Sequence, residues 1–320
     1  VTMEAAKKAK SSKKRRKWKQ NIPLLIMTLP GLIWLIFFYY IPVLGNVVAF
    51  KQFRFSKGGF VQSILDSKWV GFANFNYLFS SSKAYLITRN TVLYNLAFII
   101  IGLVFAVMFA IILSQLRSKL LVKTIQTSML LPYFLSWVII SIFVLTFLST
   151  DRGLLNQMLG DMGMKADTNW YTTPDMWPPF LVFMGIWKGI GYSSIIYFAT
   201  IVGIDRTYYE AAQMDGASKW DQIRHVVIPH LVPMMIILVI LGIGNIFRAD
   251  FGLFYQVPLQ SGPLKNVTSV LDTYIYDGLK NAGNLGMTTA AGLYQSFVGF
   301  ILLLSANLIV RKIDPDSALF

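Results

Sequence analysis

The chain has 320 residues, of which 55% are hydrophobic, 15% aromatic and only 14% charged, too little polar surface for a soluble domain of this length. Its formal charge of +14 invites a nucleic-acid reading, but nine of the 29 Lys and Arg fall between Lys7 and Lys19, directly ahead of an apolar run, where they serve as a topology signal at anionic lipid headgroups. The absence of Cys excludes disulfides, thiol catalysis and thiolate metal sites.

A bilayer core of roughly 30 Å takes about 20 helical residues to cross. Six segments are apolar for that length: 22–45, 91–113, 125–148, 178–204, 227–247 and 290–310. The expected fold class is therefore all-α, a polytopic membrane protein with six transmembrane helices. The basic segment 1–20 precedes the first span, which reads as a retained helix: its apolar part exceeds 20 residues and no A-x-A-like cleavage site follows. Residues 21–90 form the first span and an outer loop, 91–311 the core transmembrane domain, and 312–320 a short tail. With the N-terminus inside, inner segments hold 17 Lys and Arg and the longer outer segments hold 11, which places both termini in the cytoplasm.

Along the outer side, WVGFANFNYLF (69–79) suits an interface belt or a small packing unit, and 149–177 and 248–289 are long enough to contact a partner or a ligand. Within the spans, Asn95, Lys188, Tyr192, Ser193, Ser194, Tyr197 and Asn245 are polar. They either line a hydrated path, for which Asn95, Lys188, Tyr192 and Tyr197 are the candidates, or bond between helices and snorkel to an interface. Gly185 and Gly189 form a G-x-x-x-G suited to close helix approach, and Gly189-x-Gly191 makes a poor phosphate loop because no strand precedes it.

Reacting groups are scarce. His225 and His230 are five apart with Pro229 between them, off one helix face and poorly spaced for a metal. There is no H-E-x-x-H, no G-x-S-x-G, and no Gly-Lys dipeptide, so a nucleotide loop of the G-x-x-x-x-G-K-[ST] type is excluded. Neither a catalytic nor a metal site is expected. If ATP drives transport here, another subunit must bind it.

One inner loop, 205–229, is long and polar: YYEAAQMDGASKWDQIRHVVIP fills 208–229. Asp205 can cap a short helix over 206–214, and Asp215-Gly216 then stops it. Ser218 and Asp221 make an approximate capping box for a second helix that Pro229 is expected to end. Trp220, Ile223 and Val227 share a face expected to pack on the membrane domain. Glu210 beside Ala211 and Ala212 offers an acidic, unbulky knob that fits a protein cleft better than anionic lipid.

Glu210-Ala211-Ala212, Asp215-Gly216-Ala217 and Val226-x-Ile228-Pro229 resemble the EAA loop of bacterial ABC importer permeases, with Gly216 seventh and Pro229 twentieth as that pattern requires. Val226 and Ile228 stand where the pattern has Ile and Leu. WVGFANFNYLF, Asn90-Thr91, LPYFLSWVII (131–140) and NLGMTTAAGLYQSF (284–297) resemble maltose-type carbohydrate permeases, and within them the subfamily importing complex, polysaccharide-derived oligosaccharides. The resemblance covers about 60–320 and implies a type I importer permease of MetI-like fold in the bacterial plasma membrane. It further implies a related permease completing a heterodimer, two ATPase subunits carrying ATP and Mg2+, an extracellular solute-binding protein and an oligosaccharide substrate, with Glu210, Ala211, Ala212, Asp215, Gly216, Ala217 and Pro229 coupling to the ATPase. An importer for a peptide or amino acid is the alternative within transport; a membrane enzyme or scaffold is the alternative outside it.

Overall fold

The computed structural model describes residues 21–80, 82–151, 153–164, 167–282 and 284–319; the basic segment 1–20 and Phe320 lie outside it. The chain divides into two compact units, 1–74 and 75–320.

In the first unit, α1 (Asn21–Phe50) is long and apolar enough to cross a membrane, and none of its apolar window is buried. After it, β1 (Lys51–Gln52) pairs antiparallel with β2 (Lys68–Trp69), and α2 (Gly59–Asp66) fills the connection. Phe50 stacks on Trp69 and meets Phe72 edge-on, while the Asn74 amide donates to the carbonyls of Ala49 and Lys51. Trp69, Phe72 and Asn74 thus give WVGFANFNYLF its packing role.

α3 (Ala73–Ser80) begins at the end of the first unit, and in the second unit α4 (Ser82–Gln115) has 34 residues, which make it about 50 Å long at 1.5 Å per residue, well beyond the apolar core. The third apolar segment is two helices, α5 (Lys119–Phe134) and α6 (Trp137–Leu148), at 95° to each other. The expectation of one continuous helix over 125–148 is corrected. Leu135 and Ser136 are extended, and the Ser136 hydroxyl accepts from the Ile139 N–H to start α6. A short α7 (Leu154–Asp161) precedes α8 (Pro174–Val202), which packs along both α4 and α5. Gly191 permits this: a Cβ there would lie 2.0 Å from the Met129 carbonyl oxygen of α5. Then come α9 (Arg206–Met214), α10 (Lys219–Gly244), α11 (Phe251–Gln256), α12 (Leu271–Asp277) and α13 (Leu285–Ile313), the last lying along α10.

The described residues therefore hold five helices able to cross a membrane, or six if the bent α5–α6 pair counts as one span. Two apolar clusters hold the second unit. One joins Tyr94 of α4, Ile140 and Val144 of α6, Trp177 and Leu181 of α8 and Phe254 of α11. The other joins Ala106 and Ala110 of α4, Tyr197 and Ile201 of α8 and Val227 and Leu231 of α10, next to the polar loop.

Candidate functional site

The polar loop is a helix-turn-helix knob. The Asp205 carboxylate accepts from the Thr207 N–H at 2.9 Å to begin α9, a bond that also holds this carboxyl below its usual range. α9 ends in a complete Schellman motif: the Ala217 N–H donates to Ala212 O at 2.9 Å and the Gly216 N–H to Gln213 O at 3.0 Å. Gly216 sits at φ +76°, a left-handed conformation that a residue with a Cβ adopts only at a cost. The Ser218 hydroxyl then accepts from the Asp221 N–H at 3.2 Å while Asp221 accepts from the Ser218 N–H at 3.0 Å, a full capping box with Asp in the acid position.

No residue of α9 is buried. Tyr209 is half-buried against the apolar cluster around Val227, and Tyr208 meets the His230 ring edge-on at 5.0 Å. Glu210, Ala211, Asp215 and Gly216 are exposed, Ala212 and Ala217 half-buried. Met214 is 88% exposed at the tip, a large apolar group in water that the sequence reading did not single out. The knob thus presents acidic groups, among them Glu210 and Asp215, together with small residues and a flexible apolar tip outward.

Two expectations for its second helix are corrected. Pro229 does not end that helix: Lys219–Gly244 runs through it unbroken. The reason is a π turn at Ile223–Val227, in which the Ile228 N–H donates to Ile223 O; the widened register spares the i−4 carbonyl clash that proline would cause in an α turn. Nor do Trp220, Ile223 and Val227 all face the core. Val227 is fully buried and Ile223 half-buried, but Trp220 is 67% exposed beside Ile112 of α4 and Leu116 just after it. Buried Gln222 takes the inward place, donating to Ala217 O at 3.2 Å and tying the second helix to the turn. The His225 and His230 ring nitrogens meet the carbonyls of Asp221 and Val226 one turn back on the same helix.

A second site lies at the α5–α6 break. Ending α5 leaves carbonyls without helical donors, and the Lys188 ammonium, from the middle of α8, donates to Tyr133 O at 2.8 Å and Pro132 O at 3.4 Å. The same ammonium lies 5.5 Å from the Tyr133 ring centre and 5.4 Å from that of Trp137. Tyr192, 51% exposed and one turn along α8, stacks on Tyr133 at 5.1 Å. Trp137 Nε1 donates to Asp250 Oδ2 at 2.7 Å, and Asp250 also caps α11 through the Leu253 N–H. Beside it, a cavity of about 240 Å³ is lined by Gly185, Gly189, Ser193 and Asp250.

Of the four path candidates, the structure brings Lys188 and Tyr192 together on Tyr133. Asn95 lies elsewhere, its amide donating to Thr91 O and to Ile246 O at 3.0 Å and so joining α4 to the end of α10. Tyr197 is 2% exposed within the cluster near the knob. Tyr133, Trp137 and Asp250 belong to the site but were not legible as such. Tyr133 and Trp137 sit in LPYFLSWVII, where only the Pro and Ser hinted that the helix breaks.

Buried polar bonds fix the segments around this second site. The Asn90 amide donates to the carbonyls of Asn266 and Ser269, the Thr91 hydroxyl accepts from the Leu271 N–H, and Tyr94 donates to Val267 O. Asp272 accepts from the Ala249 N–H at 2.7 Å and from the Gln295 amide at 3.2 Å, and Gln295 also donates to Phe247 O. Burial raises the Asp272 carboxyl above its ordinary range despite these donors.

Residues 98–315 match the family described as the inner membrane component of binding-protein-dependent transport systems. The chain is 32% identical over 310 residues to the polygalacturonan/rhamnogalacturonan transport system permease protein YteP of Bacillus subtilis, covering 97% of this chain and 94% of that protein. It is 30% identical to a chain in the crystal structure of a bacterial ABC transporter involved in the import of the acidic polysaccharide alginate, with a TM-score of 0.84 over 94% of this chain and 99% of that one. A crystal structure of the bacterial alginate ABC transporter in complex with its alginate pentasaccharide-bound periplasmic protein matches at a TM-score of 0.82 and 30% identity, covering 93% and 97%.

Proposed function

Because the chain belongs to the binding-protein-dependent transport system inner membrane component family, as a multi-pass permease subunit, we propose that it forms one half of the path of an ATP-driven oligosaccharide importer. The observation that carries the coupling half of this reading is the knob at 205–229: a Schellman turn and a capping box hold a small, acidic, Met-tipped surface outside the membrane core. The excess of Lys and Arg in the segments on its side supports a cytoplasmic place for it. The relatives support sugar over peptide, two of them being named for polysaccharide transport.

In this reading two ATPase subunits dock on the knobs of this chain and of a related permease, and bind ATP and Mg2+ in their own sites. An extracellular binding protein presents the sugar at the opposite face. Closure of the ATPases moves the knob, and α8 and α10, which leave it in opposite directions along the chain, carry that motion into the membrane. Glu210 offers a partner for a basic group, Ala211 and Ala212 admit the ATPase surface, Asp215-Gly216-Ala217 keeps the turn, and Pro229 sits on the π turn that joins the knob to α10. An importer of peptides or amino acids has no observation in its favour here.

The test is Ala211→Arg and, separately, Gly216→Val in the reconstituted complex. Both should leave the permease in the membrane and reduce sugar-stimulated ATP hydrolysis by roughly tenfold or more. Normal stimulated hydrolysis with normal assembly would remove the knob from the coupling path.

A further inference from the structure

Lys188 is a cation in the middle of a membrane-spanning helix, where a charge is costly and an unpaired one marks a functional position. Among the described residues it has no carboxylate within ion-pairing distance; its ammonium is held by two backbone carbonyls and flanked by two aromatic rings. Asp250 acts on it through space, while the Asp250 oxygens accept from the Trp137 indole and from the Leu253 N–H rather than from the ammonium. Beside this cation lie the half-open rings of Tyr133 and Tyr192, 44% and 51% exposed and parallel to within 10°. An unpaired ammonium next to a flat, half-exposed aromatic edge matches a pyranose carrying a carboxylate: the carboxylate pairs with the ammonium and the apolar face of the ring lies on the tyrosines.

We propose that Lys188, with Tyr133 and Tyr192, is a reading station for the carboxylates of acidic, uronate-containing oligosaccharides on the import path. This rests on the oligosaccharide reading given above. A lysine suits a transit site, since its three rotatable donors can leave the Pro132 and Tyr133 carbonyls for a passing carboxylate and then return. The exchange keeps the ammonium hydrogen-bonded in both states, so release is not impeded by stranding a bare charge in the membrane.

The test uses the full importer in proteoliposomes with its binding protein, and compares oligogalacturonates with their methyl esters, which keep the ring and lose the charge. Lys188→Met should raise the half-saturating concentration of the acid form at least about tenfold, as loss of a charge-assisted hydrogen bond would. The methyl ester should change less than about twofold, and Lys188→Arg should restore much of the response to the acid. An equal loss for acid and ester, loss of assembly with the second permease, or a wild-type complex stimulated by the ester and not the acid would each overturn the inference while leaving sugar import standing. A wild-type complex stimulated by neither saccharide would overturn this inference, whereas the import reading itself fails only if neutral oligosaccharides do not stimulate the complex either.

Discussion

Asp272 is a carboxylate used as a staple. It receives one backbone N–H from the segment after α10 and one amide from Gln295 of α13, and so joins three elements through a single group. Burial raises its pKa above the ordinary 3.8. The folded protein therefore holds the Asp272 proton more tightly than the unfolded chain, and the resulting stability is full below that value and is lost as pH rises through the raised one. The melting temperature of wild type minus that of Asp272→Asn should thus fall as pH climbs from 3.8 into the range above it. A difference that stays flat with pH would mean that the carboxylate is solvated. Gly216 behaves differently at the same scale: its left-handed turn was readable from Asp-Gly between two helical patterns, because only backbone chemistry decides it. Asp272 had no such local signal, since its partners are 23 residues away on either side.

At the scale of elements, what the sequence conveyed was apolar length, and what it concealed was geometry. The α5–α6 segment is apolar enough for one span, yet Leu135 and Ser136 are extended and the helix turns by 95°. Hydropathy averages over such a break; the break itself depends on a capping hydroxyl and on a lysine 55 residues later that accommodates the freed Tyr133 carbonyl. Pro229 fails the expectation in the opposite sense, because a π turn absorbs it and the helix continues. The exposure of Trp220 follows from the same turn, since an extra residue in one turn rotates the residues ahead of it relative to those that follow. Ser136→Ala should therefore lower the unfolding free energy by about 0.5–2 kcal/mol, the usual range for a lost N-cap. It should also make the α5–α6 junction more mobile, measured by hydrogen exchange at Trp137–Ile140. Unchanged exchange there would show that Lys188 alone holds the break.

Over the whole molecule, the two candidate sites share α8. Lys188 and Tyr192 at the α5–α6 break and Ile201 in the cluster against the knob lie on this one helix, which packs along α4 and α5. In the proposed mechanism a motion imposed at 205–229 would travel along this helix to the group proposed to read the sugar. Family, membrane class and the helix-turn-helix form of 205–229 were legible because each is a local pattern: a spacing of motif residues, an apolar run, a pair of capping residues around Asp-Gly. The path was only half legible, because polarity marked Lys188, Tyr192, Asn95 and Tyr197 alike, and only the fold separates two that meet on Tyr133 from one that joins helices and one enclosed near the knob. The central claim is that the knob receives the work of ATP, and the absence of native Cys permits a direct measurement. A single cysteine at Met214→Cys, carrying a short bifunctional cross-linker in the assembled importer, should join this chain to an ATPase subunit, whereas one at Trp220→Cys should not. Cross-linking of Trp220→Cys and not of Met214→Cys would contradict the account.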